Sequence, residues 1–126
     1  MKHILIVEDE PSIAEMYQLK LELNGYAVTT ASNGLNGLKC LENATPDLIL
    51  LDLMMPVMNG EEFLKKIRKS QHHQHVPVII LTNVSREEAP KTLWHYGITD
   101  YFVKAHNTPS HLIDVVNRHF ESRTLH

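Results

Sequence analysis

The chain has 126 residues, 43% hydrophobic and 21% charged, which suits a single globular domain over residues 1–126. Its formal net charge of −3 gives no electrostatic reason to expect direct nucleic-acid binding. Its apolar runs, four or five residues long, are too short to cross a membrane. The single cysteine, Cys40, excludes an internal disulfide and favours a cytoplasmic location.

Short apolar runs alternate with helical segments along the whole chain. The runs predict five strands, at 4–7, 26–31, 48–51, 78–81 and 101–103. Apolar residues at helical spacing predict a helix after each strand, at 11–24, 34–44, 60–70, 86–96 and 109–122. This alternation predicts an α/β fold, with a five-stranded parallel sheet of order 2-1-3-4-5 and helices on both faces.

The fourth helical segment, 86–96, carries the weakest helical pattern of the five. Pro90 falls in its first turns, where a proline removes a backbone hydrogen bond and clashes with the preceding turn. We therefore expect this helix to start late, near Ala89, or to be short and mobile.

Nine histidines are a high count for this length, and His72, His73 and His75 occur in one short stretch. A structural metal site needs four ligands, but no cysteine or carboxylate lies near these histidines in the sequence. We interpret the stretch as a solvated loop.

Polar residues follow four of the five predicted strands, at the sheet edge where α/β folds bind ligands. These residues are Glu8, Asp9, Asp52, Thr82 and Lys104. Any one of them alone could be a helix cap or a turn residue. Three carboxylates at one edge would repel each other, however, and a bound divalent cation would remove that repulsion.

The chemistry of these residues predicts phosphoryl transfer. Oxygen-only ligands favour Mg²⁺, which often shares a phosphate oxygen with one or two carboxylates. Aspartate carboxylates form acyl phosphates, so Asp52 is the candidate nucleophile. Mg²⁺ and Lys104 would neutralise the developing charge, and Thr82 would bind the transferred phosphoryl group.

The motifs resemble those of bacterial two-component response-regulator receiver domains, over residues 2–122. They are VEDE at 7–10, DLMMPVMNG at 52–60, VIILTN at 78–83 and YFVK at 101–104. The resemblance implies a flavodoxin-like receiver fold and a signalling phosphoacceptor, not an enzyme. It also implies that a sensor histidine kinase or a phosphotransfer protein donates a phosphoryl group to Asp52.

The same resemblance implies a role for each site residue. Glu8 and Asp9 would hold Mg²⁺ together with Asp52 and the backbone carbonyl of Met54. The phosphoryl group would be contacted by Asn83 and Lys104, with Thr82 as the switch hydroxyl and Tyr101 as the aromatic switch residue. The resemblance also implies that the switch changes the surface formed by the fourth helix, fifth strand and fifth helix. A downstream effector or a second copy of the chain is the partner implied for this surface.

The chain departs from the family pattern at several positions. Ala105 replaces the proline that usually follows the lysine, so the usual cis peptide is uncertain there. Asn83 occupies a usually small position, and we expect it to narrow access to the phosphoryl site. Residues 96–98 are bulkier than is typical, and with Trp94 they predict an aromatic patch on a non-standard output face.

Two other interpretations remain open from the sequence. The chain could be a receiver-like adaptor or dimerisation module that is not phosphorylated. It could also be an aspartate-nucleophile phosphatase, although those enzymes use a second acidic residue two positions after the nucleophile, where this chain has Met54.

Overall fold

A computed structural model describes the backbone of residues 1–124 and the side chains of residues 1–121. The strands are β1 His3–Val7, β2 Ala27–Ala31, β3 Leu48–Leu51, β4 Val78–Thr82 and β5 Asp100–Val103. The α-helices are α1 Pro11–Leu23, α2 Gly34–Asn43, α3 Gly60–Lys69 and α4 Pro109–Thr124. Two 3-10 helices, Lys91–Tyr96 and Lys104–His106, flank β5.

The sheet confirms the predicted topology. Its order is β2-β1-β3-β4-β5, and every neighbouring pair is parallel. Alternate residues of each central strand enter opposite cores, as the two-residue period of a strand requires. On one face, Leu5 and Ile49 pack with residues of α2 and α3. On the other, Ile4 and Leu48 pack with residues of α1 and α4.

Most large apolar residues in the predicted helical segments are buried, and four of those described are exposed. Phe63, Leu64 and Ile67 of α3 are buried, as apolar residues on one face of an amphipathic helix are expected to be. Leu19 and Leu23 of α1 are 62% and 86% exposed, and Leu35 of α2 is 43% exposed, although all three contribute to the apolar pattern of their helices. Trp94, in the fourth helical segment, is also 43% exposed. No helix within residues 1–124 combines the length and apolarity that crossing a bilayer requires.

The fourth helical segment starts late, as expected, but its helix is of a different type from the one predicted. Residues 86–89 form turns, and the helix that follows Pro90 is a 3-10 helix, Lys91–Tyr96, instead of an α-helix starting near Ala89. Pro90 lacks the N–H that an α-helix continuing from the turn at 85–89 would need. The expectation of a short, late helix is confirmed, and its mobility stays a prediction.

The histidine-rich stretch forms a turn, in agreement with the loop interpretation. Residues 71–75 are in turn conformation, with His72 and His75 exposed. Arg68 of α3 holds the end of this turn, because its Nη1 donates to the carbonyl of Val76 at 2.8 Å. Its Nε donates to the carbonyl of Tyr96 at 2.7 Å and so ties α3 to the 3-10 helix.

Replacing Arg68 by methionine will lower the free energy of unfolding by about 2 kcal/mol, because two half-buried carbonyls lose a charged donor. Urea denaturation measures this loss. Lys69→Met is the matched control, since Lys69 is exposed on the same helical turn and should change stability by less than about 0.5 kcal/mol. Equal stability of the two variants would contradict a bridging role for Arg68.

Candidate functional site

The strand register explains why the predicted site residues meet. Val7 pairs with Leu51, so the residues that follow, Glu8 and Asp52, leave neighbouring strands at the same level. Thr82, the last residue of β4, pairs with Val103, and Lys104 follows directly. All four side chains therefore emerge at the carboxyl edge of the sheet.

Three carboxylates form the centre of the site. One oxygen from each of Glu8, Asp9 and Asp52 lies within 4.8 Å of the others. Glu8 is only 3% exposed and Asp52 only 7%, whereas Asp9 is half-buried. Burying carboxylates this close together is costly unless a cation compensates their charge.

Lys104 supplies part of the compensating charge. Its Nζ donates to Glu8 Oε1 at 2.5 Å and lies 3.6 Å from Asp52 Oδ2. Burial opposes the charge on this ammonium, but the hydrogen bond to Glu8 and the charges of Asp52 and Glu8 outweigh burial and raise the pKa of Lys104. The lysine is therefore a fixed positive charge beside Asp52.

The pKa of Glu8 is raised to about 7. Burial is the largest cause, and it outweighs the hydrogen bond from Lys104, while the nearby charge of Asp52 raises the pKa further. A divalent cation beside Glu8 would act in the opposite direction, because it favours the charged carboxylate.

The backbone around Asp52 fixes the direction of its carboxylate. The Asp52 N–H donates to the carbonyl of Val7 at 3.1 Å, which anchors the residue to β1. Its Oδ1 accepts from the Met54 N–H at 3.2 Å, leaving Oδ2 on the side of Lys104. Gly60 packs under this loop, and its N–H donates to the Leu53 carbonyl at 3.0 Å.

Asp52 opens onto a cleft of about 360 Å³. Asp9, Met54, Asn83 and Lys104 line it, and Thr82 lies in its wall. Asn83 is the exposed residue that follows Thr82 in this lining.

Two further acidic residues line the cleft, Glu10 and Glu88, and the sequence reasoning missed both. A signal for Glu88 was present, because Ser85 and Glu88 have the spacing of a capping box. The Glu88 N–H donates to Ser85 Oγ at 3.3 Å, and Ser85 Oγ donates to Glu88 Oε1 at 3.0 Å. Glu10 is the last residue of the VEDE motif, and its N–H donates to Glu8 Oε2 at 3.4 Å.

Thr82 and Tyr101 are linked through the loop that follows β4. The hydroxyl of Thr82 accepts from the Val84 N–H at 3.4 Å. The hydroxyl of Tyr101 donates to the Val84 carbonyl at 2.7 Å, and its side chain points inward, with only 5% of the residue exposed. Every peptide bond that the structure describes is trans, including the one between Lys104 and Ala105.

The carboxylate cluster fits Mg²⁺ by its chemistry. Its donors are all oxygens, and three ionised carboxylates against one ammonium would leave a charge that a divalent cation balances. Met54 lines the same cleft, as a backbone ligand from that residue requires. Within residues 1–121 no other group of three potential ligands clusters this closely, and the histidines of the turn at 71–75 form no such group.

Comparison with known proteins agrees with this geometry. The family model "Response regulator receiver domain" matches residues 4–117. The alkaline phosphatase synthesis transcriptional regulatory protein PhoP of Bacillus subtilis is 43% identical over 104 residues, covering 82% of this chain and 42% of that protein. The chain thus spans less than half the length of that curated relative.

Solved structures show the same fold. The chemotaxis protein CheY4 of Vibrio cholerae superposes with a TM-score of 0.84 and 34% identity, over 94% of this chain and 98% of that one. The response regulator TrrA of Thermotoga maritima, solved in complex with Mg²⁺–BeF, gives a TM-score of 0.81 and 35% identity, with the same coverage. Family, fold and acidic site agree, and the chain belongs to the receiver domains of two-component response regulators.

Proposed function

We propose that Asp52 accepts a phosphoryl group from a phosphohistidine of a sensor histidine kinase or a phosphotransfer protein. The observation that carries the proposal is the convergence of Glu8, Asp9 and Asp52 within 4.8 Å, with the Lys104 ammonium beside them. The receiver domain would be one module, residues 1–126, working in the cytoplasm without direct contact to nucleic acid or membrane.

The transfer itself needs one attacking oxygen. An Asp52 carboxylate oxygen attacks phosphorus, the new P–O bond forms as the P–N bond to the donor histidine breaks, and the imidazole takes up a proton. Lys104, 3.6 Å from Asp52 Oδ2, stabilises the negative charge of the transferred group. In the later hydrolysis, water attacks phosphorus, the bond between phosphorus and the Asp52 oxygen breaks, and inorganic phosphate leaves as the carboxylate is restored. Both steps are catalysed by the residues of this chain.

Glu8, Asp9, Asp52 and the backbone carbonyl of Met54 would hold Mg²⁺. When bound, the ion supplies positive charge to phosphate oxygens and orients them for in-line transfer. Glu8 would then be shared between the ion and Lys104, whose Nζ lies 2.5 Å from Glu8 Oε1. Glu8 thereby positions the ammonium for the phosphoryl group.

The switch follows from the loop after β4. A phosphoryl oxygen on Asp52 attracts the hydroxyl of Thr82, while Asn83 and Lys104 bind the same group. Movement of Thr82 is transmitted through Val84, which hydrogen-bonds to both Thr82 and Tyr101. The equilibrium between the two Tyr101 conformers shifts by as much as phosphorylation stabilises one over the other.

The output surface is formed by the 3-10 helix Lys91–Tyr96, β5 and α4. These elements correspond to the predicted fourth helix, fifth strand and fifth helix. A downstream effector or a second copy of the chain would bind there when phosphorylation holds Tyr101 in its inward conformer. The turns at 86–89 and the short 3-10 helix make this surface differ from one built on a regular fourth α-helix.

Beryllofluoride tests the proposal, because it mimics an acyl phosphate on aspartate. We expect saturable binding of beryllofluoride that requires Mg²⁺ and is abolished in Asp52→Asn. The binding is monitored by the amide NMR signals of residues 82–85. Asp114→Asn is the matched control, since Asp114 is exposed on α4, and it should bind as the parent does. A parent chain that binds no beryllofluoride would support the unphosphorylated adaptor instead.

Replacing Asn83 by alanine will raise the rates of phosphorylation and dephosphorylation by about threefold, because the exposed amide narrows the entrance to the cleft. Acetyl phosphate uptake and subsequent decay, both followed by intact-protein mass, measure the two rates. If the rates of phosphorylation and dephosphorylation were both unchanged, Asn83 would not limit access to the cleft.

A further inference from the structure

We propose that Trp94 and Arg86 are positioning residues that hold Tyr101 in its inward conformer and so raise the affinity of the Asp52 site for a phosphoryl group. This inference rests on the proposed function of Asp52, Thr82 and Tyr101. Neither residue belongs to the motifs at the ends of the strands.

The inward conformer of Tyr101 is held at its hydroxyl. The hydroxyl lies 2.7 Å from the carbonyl oxygen of Val84 and 3.3 Å from that of Ser85. Ser85 is itself fixed by Glu88, whose N–H and carboxylate both contact the serine hydroxyl. The acceptor for Tyr101 is therefore a capped turn with a defined shape.

Trp94 covers the ring of Tyr101. The two ring centroids are 5.7 Å apart with an interplanar angle of 29°, which is a stacked arrangement. Aromatic pairs at this separation gain energy beyond the area they bury. An outward rotation of Tyr101 would give up both the stack and the hydroxyl contacts, so Trp94 favours the inward conformer.

Arg86 contacts both rings. Its guanidinium carbon lies 5.7 Å from the centroid of Tyr101 and 5.9 Å from that of Trp94, within the range of cation–π attraction. Its position is fixed by Nη2, which donates to the Tyr101 carbonyl at 3.1 Å and lies 3.5 Å from Asp100 Oδ1. Arg86 thus ties the loop after β4 to β5 across the face of the aromatic pair.

Trp94 and Arg86, which together form a clamp on Tyr101, are connected to the phosphoryl site through Val84. The Val84 N–H donates to Thr82, and the Val84 carbonyl accepts from Tyr101. In the proposed switch, attraction of Thr82 by the phosphoryl group goes with an inward Tyr101. Because only the inward conformer goes with the bound phosphoryl group, contacts that raise the inward population strengthen phosphoryl binding in proportion to that population.

The test measures two quantities in the full chain. The inward population of Tyr101 is followed by ¹³C NMR of its ring in metal-free protein, and beryllofluoride affinity is measured at saturating Mg²⁺. We expect Trp94→Ala to lower the inward population and weaken beryllofluoride binding by about fivefold, in the range of ordinary coupling energies. Mg²⁺ affinity, which a disrupted site would lower, should stay within about twofold of the parent.

The control variants separate the loss of the Trp94–Tyr101 ring stack from general effects of substitution in the 3-10 helix Lys91–Tyr96. Trp94→Phe keeps an aromatic ring, and Lys91→Ala removes a nearby exposed charge, so both should behave as the parent does. Arg86→Ala should weaken beryllofluoride binding by about threefold. It also keeps the inference testable if Trp94→Ala does not fold, because the side chain of Arg86 is 56% exposed.

Unchanged Tyr101 spectra and unchanged beryllofluoride affinity in Trp94→Ala, or in Arg86→Ala where the tryptophan variant does not fold, overturn the inference. Failure of the proposed function looks different, because the parent itself would then bind no beryllofluoride. In that case the link to phosphoryl affinity is overturned as well, while the metal-free ring spectra still decide whether the clamp holds Tyr101.

Discussion

Lys104→Met will take up phosphoryl groups from acetyl phosphate at least about 100-fold more slowly than the parent chain. The variant removes the one ammonium that lies 3.6 Å from Asp52 Oδ2, in a site where the lysine side chain is only 11% exposed. Charge stabilisation in such a water-poor site is worth far more than at a surface, and losing one such group typically costs two to three orders of magnitude. The measurement is the rate of intact-mass increase at fixed Mg²⁺ and acetyl phosphate.

Mg²⁺ affinity separates this loss from misfolding. Lys104 and the cation compete for the carboxylate of Glu8, so Lys104→Met should bind Mg²⁺ at least as tightly as the parent does. Lys66→Met is the matched control, because Lys66 is exposed on α3, and it should react at the parental rate. A Lys104→Met variant that keeps both the parental rate and the parental Mg²⁺ affinity would remove the lysine from the chemistry.

Gly60→Ala will lower the free energy of unfolding by about 3 kcal/mol. A methyl group on Gly60 would collide with the backbone carbonyl oxygen of Asp52 and lie 2.8 Å from the Cα of Leu53. Backbone atoms that are fixed between β3 and α3 cannot give way as a flexible side chain can. We also expect slower phosphorylation, because the loop that aims Asp52 must move. Urea denaturation measures the first effect.

Gly37→Ala is the control for Gly60→Ala. Its methyl group would meet the side chains of Phe63 at 3.0 Å and Val7 at 3.3 Å, and side chains can shift by a few tenths of an ångström. Alanine is also the better helix former in α2, by about 0.5–1 kcal/mol. We expect a net change within about 1 kcal/mol. If both variants were equally stable, close packing under Asp52 would not be the reason for glycine at position 60.

The regular strands of the sheet and their order were predictable from the pattern of apolar residues in the sequence. Runs such as Ile4–Val7 and Leu48–Leu51 are apolar throughout because both faces of a central parallel strand are covered. Once the strands are parallel, their carboxyl ends must lie at one edge, so the meeting of Glu8, Asp52 and Lys104 follows from chain order alone. The fold therefore follows from the apolar runs, and the centre of the site follows from the common edge at which parallel strands end.

Irregular backbone was not predictable in the same way. Pro90 indicated a break, but nothing in the sequence indicated that the helix after it, Lys91–Tyr96, is a 3-10 helix with Leu93 buried. Val57, next to the acceptor loop, adopts a φ of 71°, a conformation that β-branched residues rarely take and that no sequence signal indicated. The contacts of Arg86 and Trp94 with Tyr101 join segments that no periodic pattern relates.

Chemical mapping of the phosphoryl group tests the central claim most directly. The chain is incubated with acetyl phosphate and Mg²⁺, the acyl phosphate is reduced with borohydride, and the modified residue is located by peptide mass spectrometry. Our account predicts modification at Asp52 alone, dependent on Mg²⁺ and lost in Asp52→Asn. Modification of a different residue, or labelling of Asp52→Asn to the parental level, would contradict it.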